Sequence, residues 1–336
     1  MRTIRWGFIG VGKISHDFIE GLKLAPGSQA VAVWSRTPEK TEAFAKMYGL
    51  RVARSLQELA ESDVEVVYIA SPPELHLEHA VTCLKAGKAV LVEKPFAVSA
   101  DEARIIATAA KEAKQFCMEA MWTRFMPAVQ KLLRDISHGE FGRPMGFEGS
   151  LGFTQAGSRD GALLDLGVYP ISLMHAVMGA PKVVRALGRH DEVSAVMEFA
   201  SGAQASIRCS SQFPLRNDAV IWAENAALEL EAPLYRPEAY AVRSLPPPPS
   251  RQAVSEPVSG IRKVTQRPEI RRWVQQAKEL ALPKVRLTAL GNGFAHEAIE
   301  VNECLRNGAK VSALLPIEES VAVMETVDRV RQAIGS

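Results

Sequence analysis

Up to about residue 120, short runs of β-branched and other apolar residues alternate with stretches in which apolar positions recur every three or four residues. This is the pattern of a parallel sheet whose strands are joined by amphipathic helices. Strands are predicted at 4–9, 30–34, 65–70, 89–92 and 115–119. The intervening helices carry recognisable ends: Thr37 followed by Pro38, Gly87 after the helix that precedes the fourth strand, and Ser99-Ala100-Asp101-Glu102 opening the next helix. Units connected this tightly should wind right-handed. Beyond Gly139-Glu140-Phe141-Gly142 the strand patterns lengthen, to 145–153, 183–189, 194–200 and 203–211, with Ser201-Gly202 as a hairpin turn between the last two. They predict a second, mainly antiparallel sheet. Residues 244–260, with four consecutive prolines at 246–249, read as a surface loop. The end of the chain is helical again: Phe294, Ala298, Val301 and Leu305 share a face, Gly308 stops that helix, and Pro316 opens another with Glu318 and Glu319 in its first turn.

Length and composition narrow the picture. A chain of 336 residues exceeds what one core accommodates comfortably, since single cores stop growing at ~250–300 residues, so two domains are expected. With 47% hydrophobic and 23% charged residues and a formal charge of +2, the chain is an ordinary globular one, without the field that nucleic acid or an anionic membrane would require. No apolar run approaches the ~20 residues of a membrane span, and the N-terminus shows no secretory pattern, so a cytoplasmic protein is expected. Cys83, Cys117, Cys209 and Cys304 lie far apart, which predicts four reduced, mostly buried thiols.

Against this background the first strand-to-helix turn stands out. Gly10-Val11-Gly12-Lys13-Ile14-Ser15 follows one strand and opens a helix. Gly10 permits the tight turn, Gly12 removes a Cβ where a pyrophosphate would approach, and the helix start at Lys13 and Ile14 offers N–H groups and a positive dipole end. Ser15, small, still allows the helix to pack on the sheet. The pattern predicts dinucleotide binding. At the end of the second strand, Trp34-Ser35-Arg36 lacks the acidic residue that usually meets the ribose hydroxyls of NAD. Arg36 can grip a 2′-phosphate with its planar fork, and Lys40 adds a charge one turn on; the alternative is a solvated arginine at a helix start. NADP(H) is therefore the expected cofactor, with NAD(H) possible.

Two further segments carry chemistry. Ser71-Pro72-Pro73 ends the third predicted strand, at the sheet edge where such folds bind ligands. Glu93-Lys94-Pro95 ends the fourth, and a charged pair emerging from Val90-Leu91-Val92 suits a cleft lysine better than core packing, though a surface pair is the plain alternative. In Gly161-Ala162-Leu163-Leu164-Asp165-Leu166-Gly167-Val168-Tyr169, Asp165 and Tyr169 are four apart and would share a helix face. A neighbouring ammonium would lower the phenol toward working pH and make Tyr169 a general acid or base, against the plainer reading of a surface Asp and a half-buried Tyr. His76 and His79 are neighbours on one helix, but no third ligand type converges on them, so no metal is expected. His175, His190 and His296 read as packing or polar residues.

Taken together, Gly10-Val11-Gly12, the Ser71-Pro72 turn with His76, Glu93-Lys94-Pro95 and Asp165-x-Gly167-x-Tyr169 resemble the glucose-fructose oxidoreductase, inositol dehydrogenase and MocA family (Gfo/Idh/MocA). Residues 118–127 and the run from His296 to Leu305 are similar to its dimeric dihydrodiol dehydrogenase and NADP-dependent xylose dehydrogenase branch. The resemblance implies an α/β protein with an N-terminal Rossmann dinucleotide-binding domain over residues 1–122. It also implies an α+β substrate and oligomerisation domain with a large, mainly antiparallel open sheet over 123–293, and C-terminal helices at about 294–334 that return to the first domain. A homodimer or homotetramer through the second sheet would follow. It further implies Lys94 as the catalytic lysine, Tyr169 as acid/base, Asp165 orienting substrate or lysine, Trp122 and Arg124 near nicotinamide and substrate, and His76 and Glu93 lining the cofactor site. A sugar, polyol or cyclic diol would be the substrate, its CH–OH carbon exchanging hydride with nicotinamide. The alternatives are a non-catalytic NAD(P)-binding sensor and a reductase of a non-carbohydrate carbonyl or imine. Pro73 stands where the family commonly has Asn, the segment from Phe153 to Gly161 is short for the branch, and Glu224-Asn225-Ala226-Ala227 replaces a glycine-containing turn.

Overall fold

The computed structural model describes residues 2–154, 161–245 and 282–335. Its first sheet contains β1 (Ile4–Ile9), β2 (Ser28–Trp34), β3 (Arg51–Val52), β4 (Val66–Ile69), β5 (Ala89–Glu93) and β6 (Cys117–Ala120). Every pairing is parallel and the order is β3-β2-β1-β4-β5-β6, the Rossmann arrangement. Around it lie α1 (Lys13–Leu22), α2 (Pro38–Tyr48), α3 (Leu56–Glu61), α4 (His76–Lys85) and α5 (Ala100–Ala113). Strands β4 and β5 are buried along their whole length, which is why they read as unbroken apolar runs. Ser99 caps α5 as expected, its Oγ accepting from the Glu102 N–H at 3.3 Å, while the Glu102 carboxylate accepts from the Val98 N–H at 3.4 Å. Around the first sheet the sequence pattern does not reveal β3, two exposed residues long, or α3, whose six residues start at a capping Ser55.

After α6 (Pro127–Ser137) the chain enters an eight-stranded sheet. Its members are β7 (Pro144–Gly152), β8 (Val183–Arg189), β9 (Glu192–Glu198), β10 (Gln204–Ser210), β11 (Ala219–Ala223), β12 (Ala226–Leu230), β13 (Ala239–Ser244) and β14 (Lys284–Arg286). The order is β14-β13-β12-β11-β7-β10-β9-β8, and only β7 with β10 runs parallel. Alternation sets the two faces: along β9, Val193, Ala195 and Met197 are buried while Ser194, Val196 and Glu198 are exposed. The buried face packs against α7 (Val168–Met178) and the long C-terminal helix α9 (Ile317–Gly335). Of the predicted loop 244–260, Ser244 ends β13 and Leu245 follows it; the proline run and the remainder lie outside the described residues, as does 155–160 within the short Phe153-to-Gly161 segment.

The chain then returns to the first sheet through α8 (Ala295–Arg306). Its buried face, formed by Phe294, Ala298 and Val301, is the one the spacing predicts. Asn302 accepts from Trp6 Nε1 at 3.2 Å and donates to Ser28 Oγ at 2.7 Å, tying α8 to β1 and β2. At Gly21 a Cβ would lie 2.7 Å from that of Phe294, so α1 and α8 touch backbone to backbone. All four cysteines are free and buried; burial pushes the Cys83, Cys209 and Cys304 thiols up to about 12. Among the described residues no helix is long and apolar enough to cross a membrane.

Candidate active site

The Gly10–Gly12 turn shapes one side of a 330 Å³ cavity at the C-terminal edge of the first sheet, lined also by Ser35, Arg36, Lys40, Ser71 and Pro72. Gly10 has φ +97°, and a Cβ there would sit 2.4 Å from the Ala70 carbonyl oxygen, so no other residue fits. A Cβ at Gly12 would project into open space in front of α1, whose N-terminus carries no side-chain cap. That uncapped helix start beside an open glycine fits a dinucleotide pyrophosphate. Ser15 is buried and donates to the Gly10 carbonyl at 3.0 Å, holding turn and helix together. Arg36 and Lys40 line the cavity with exposed side chains, and Ser35 Oγ lies 2.6 Å from Thr41 Oγ1. The ammonium of Lys13 turns aside to Asp17 at 2.5 Å, and Ile14 is half-buried, so these two present backbone rather than side chain to the turn.

The second constellation joins the two sheets. Lys94 leaves the end of β5 and its ammonium donates to Asp165 twice, to Oδ1 at 2.9 Å and to the backbone carbonyl at 3.0 Å. The same nitrogen lies 5.1 Å from the centroid of the Tyr169 ring. Asp165 belongs to a π-helical turn, Leu163–Gly167, which runs directly into α7 and so into Tyr169. Pro170 has no N–H for the carbonyl five residues back, and the Asp165 carbonyl accepts from Lys94. Trp122 Nε1 donates to the Tyr169 hydroxyl at 3.3 Å. The Trp122 ring stacks on Phe294, centroids 4.3 Å apart, and on Tyr235 at 5.8 Å, with Phe153 at 5.9 Å from Tyr235. Tyr235, Phe153 and Phe294 have no site signal in the sequence: each is a single aromatic whose direction is set only by tertiary packing.

Protonation differs from the sequence expectation. Burial raises the Tyr169 phenol above its ordinary value and outweighs the lowering by Lys94 and the Trp122 hydrogen bond. Burial alone would depress the Lys94 ammonium, but the Tyr169 phenol and the Asp165 and Glu93 carboxylates together lift it above its usual range. Both groups therefore hold their protons near neutral pH.

Three expected contact residues face elsewhere. Glu93 is buried, accepting from Tyr68 Oη at 2.5 Å and from the Lys94 N–H at 3.1 Å; it braces the lysine from behind instead of reaching the cofactor cavity. His76 is fully buried between the carbonyls of Ser71 at 2.9 Å and Pro95 at 3.0 Å, fastening the two strand-end turns to each other. His79, beside it, meets Ser71 Oγ at 2.9 Å and is lowered to about 4 by burial. Arg124, expected at the substrate, is 3% exposed and forms an ion pair with Glu319 of α9. Its guanidinium is thus engaged inside the protein. Among the described residues no group of His, Cys, Asp and Glu could hold a metal ion.

Comparison with known proteins agrees with the fold. Residues 4–121 match the family model described as oxidoreductase family, NAD-binding Rossmann fold, and residues 129–229 match the GFO/IDH/MocA C-terminal domain. The trans-1,2-dihydrobenzene-1,2-diol dehydrogenases of Bos taurus and Homo sapiens are each 32% identical, over 99% of this chain and 97% of theirs. Among solved structures, an aldose-aldose oxidoreductase from Caulobacter crescentus complexed with glycerol superposes with a TM-score of 0.79 at 18% identity, covering 99% of this chain and 97% of that one. A 3-ketoreductase from Actinomadura kijaniata in complex with NADP and TDP-benzene gives 0.77 at 20%, covering 99% and 98%. A Rossmann sheet with the glycine turn at its edge, a second open sheet, and matches spanning both show that the chain belongs to the Gfo/Idh/MocA family and is an oxidoreductase acting on CH–OH groups.

Proposed function

We propose that the protein is an NADP-dependent dehydrogenase or reductase acting on a secondary alcohol or carbonyl of a sugar, polyol or cyclic diol, with Lys94 and Tyr169 as its proton-transfer pair. One arrangement carries the reading: an ammonium held 2.9 Å from Asp165 and lying over the ring of a phenol whose hydroxyl is itself oriented by Trp122. Bound nicotinamide would supply or accept the hydride at C4. The residues of the chain do the rest. In reduction, Tyr169 donates its proton to the carbonyl oxygen as charge builds there, and Lys94 stabilises the resulting phenolate. In oxidation, Tyr169 takes the hydroxyl proton, which requires the phenol to be deprotonated first. Asp165 fixes the ammonium, and the wall of Trp122, Tyr235 and Phe153 suits the C–H face of a ring.

Arg36 and Lys40, at the mouth of the cavity and without a carboxylate at the strand end, favour the 2′-phosphate of NADP. The cyclic diol in the relatives' name and the glycerol and NADP in the two solved structures support the same classes. Residues 1–122 would bind the cofactor and 123–293 the substrate. The four buried thiols suit the reducing cytoplasm, and the exposed face of the second sheet suits self-association.

The test is a panel of polyols, aldoses and diols, including trans-1,2-dihydrobenzene-1,2-diol and D-xylose, followed at the reduced-nicotinamide absorbance with NADP and with NAD. Turnover with NADP in preference to NAD is expected. Lys94→Ala should lower turnover by about 10² or more while NADPH still quenches protein fluorescence with unchanged affinity. Undiminished turnover would remove Lys94 from the mechanism.

A further inference from the structure

Three consecutive residues after β6, Trp122, Thr123 and Arg124, form a short 3-10 turn, Trp122–Phe125, and each reaches a different part of the second half of the molecule. Trp122 bonds the Tyr169 hydroxyl. Thr123 Oγ1 donates to the Tyr235 carbonyl at 2.6 Å, holding the residue whose ring stacks on Trp122. Arg124 Nη1 donates to the Ser172 carbonyl at 3.3 Å and pairs with Glu319, while Nη2 donates to the Leu314 carbonyl at 3.1 Å and to Glu319 Oε2 at 3.4 Å. Ser172 stands three residues beyond Tyr169, on the same side of α7.

One turn therefore grips α7 at two points a helical turn apart, once at the phenol itself and once at the backbone behind it. Two grips on one helix fix both its rotation about its own axis and its position along it. The planar fork of a guanidinium can reach a carbonyl on α7, a carbonyl ahead of α9 and a carboxylate on α9 at once; a point charge cannot. The guanidinium is buried and the carboxylate half-buried, with the Arg124 and Glu319 side chains 4% and 23% exposed, so water screens the pair less than it would a surface one.

We propose that Arg124, paired with Glu319, is a positioning residue for Tyr169: it sets the phenol against Lys94 from outside the cleft, without touching substrate. The inference rests on Tyr169 being the proton-transfer group. It assigns the buried cation of this turn to geometry, where the family resemblance implies substrate contact. A displacement of about 1 Å in a reacting group costs on the order of 10²-fold in rate, so the effect should be large for a residue that never meets the substrate.

The experiment is a double-mutant cycle on the full chain, with trans-1,2-dihydrobenzene-1,2-diol or D-xylose and NADP as probes. Arg124→Lys should lower kcat about tenfold to a hundredfold, leave KM for NADP within about twofold, and shift the pH dependence of kcat, since the phenol's contacts with Trp122 and Lys94 change together. In the Tyr169→Phe background the same substitution should cost nothing further. Glu319→Gln, which keeps the guanidinium and weakens its anchor, should repeat the pattern with a smaller loss and serves if Arg124→Lys does not fold. Equal losses from Arg124→Lys with and without the phenol, or wild-type kcat and pH profile in both variants, would overturn the positioning role alone. Full turnover by Tyr169→Phe would overturn the proton-transfer reading, and this inference with it.

Discussion

A side chain's type can be read from sequence more readily than its direction. Lys94, Asp165 and Tyr169 stand out because charge and phenol at strand ends and in a glycine-bearing turn have few structural uses, and they do converge. Arg124, Glu93 and His76 carry the same kinds of groups yet face inward, a choice made by packing partners up to 195 residues away that no local pattern records. Glu119 is a further case. It stands next to last in β6 with 1% exposure, its Oε1 accepts from the Phe96 N–H at 3.2 Å, and its Oε2 makes no hydrogen bond of normal length among the described residues. Burial pushes this carboxyl up to about 7 against the pull of the nearby Ser320 hydroxyl, the Phe96 N–H and the Arg124 guanidinium. Below the ordinary carboxylate pKa both folded and unfolded chains keep the proton and nothing is lost. As pH rises from there to about 7 the unfolded chain ionises while the folded one does not, so stability falls, by roughly 3 kcal/mol in all, and then levels. Glu119→Gln lacks this linkage. Urea unfolding at pH 4.5, 6 and 8 should show the variant gaining on the wild type up to about pH 7 and no further, whatever constant offset the amide brings; a difference flat across the range would mean that Glu119 is ionised in the fold.

At the scale of elements, legibility followed length and exposure. The buried parallel strands were plain, and so was the hairpin at Ser201-Gly202, where β9 meets β10 antiparallel. Strands β11 to β14 carry no such pattern. Ala226-Ala227-Leu228-Glu229-Leu230 consists of good helix formers, and it is a strand only because β11 and β13 flank it. The four-residue spacing of Asp165 and Tyr169 points to an ordinary helix, whereas the turn is π-helical, a geometry that depends on what it packs against. Gly167 shows this: a Cβ there would lie 2.9 Å from Leu163 Cδ1 and 3.2 Å from Cys209 Sγ on β10. Gly167→Ala gains about 1 kcal/mol of helical propensity and loses about 1–3 kcal/mol to overpacking. Stability should therefore change by no more than about 2 kcal/mol in urea. Where Leu163 and the buried Cys209 thiol do not yield, the turn shifts off β10 to admit the methyl, and with it the Asp165 contacts to Lys94, so kcat should fall about tenfold. Unchanged kcat would show that the turn has slack, and that its glycine serves packing alone.

For the molecule as a whole, the unbalanced feature is the second sheet. Helices α7 and α9 cover one face; among the described residues no element packs on the other. An antiparallel sheet tolerates water on one side, so openness alone decides nothing. Composition says more. Val196 is 55% exposed there, Trp222 stands half-buried with its Nε1 on Glu148 at 3.3 Å, and the charges come in opposite pairs, Arg216 with Asp218, Arg243 with Glu229, and Lys284 and Arg286 with Glu231. Neutralised charges around a tryptophan are the make-up of an interface more than of a solvated surface, and a face carrying both signs can meet its own copy across a two-fold axis. The wild-type protein should then sediment as a homodimer or a larger even assembly. Trp222→Glu would place a second carboxylate against Glu148 in the middle of that face and should shift the distribution to monomer, with far-ultraviolet circular dichroism unchanged. A wild-type monomer, or an assembly that survives Trp222→Glu intact, would mean that this face meets water and that the pairing of its charges serves only the sheet.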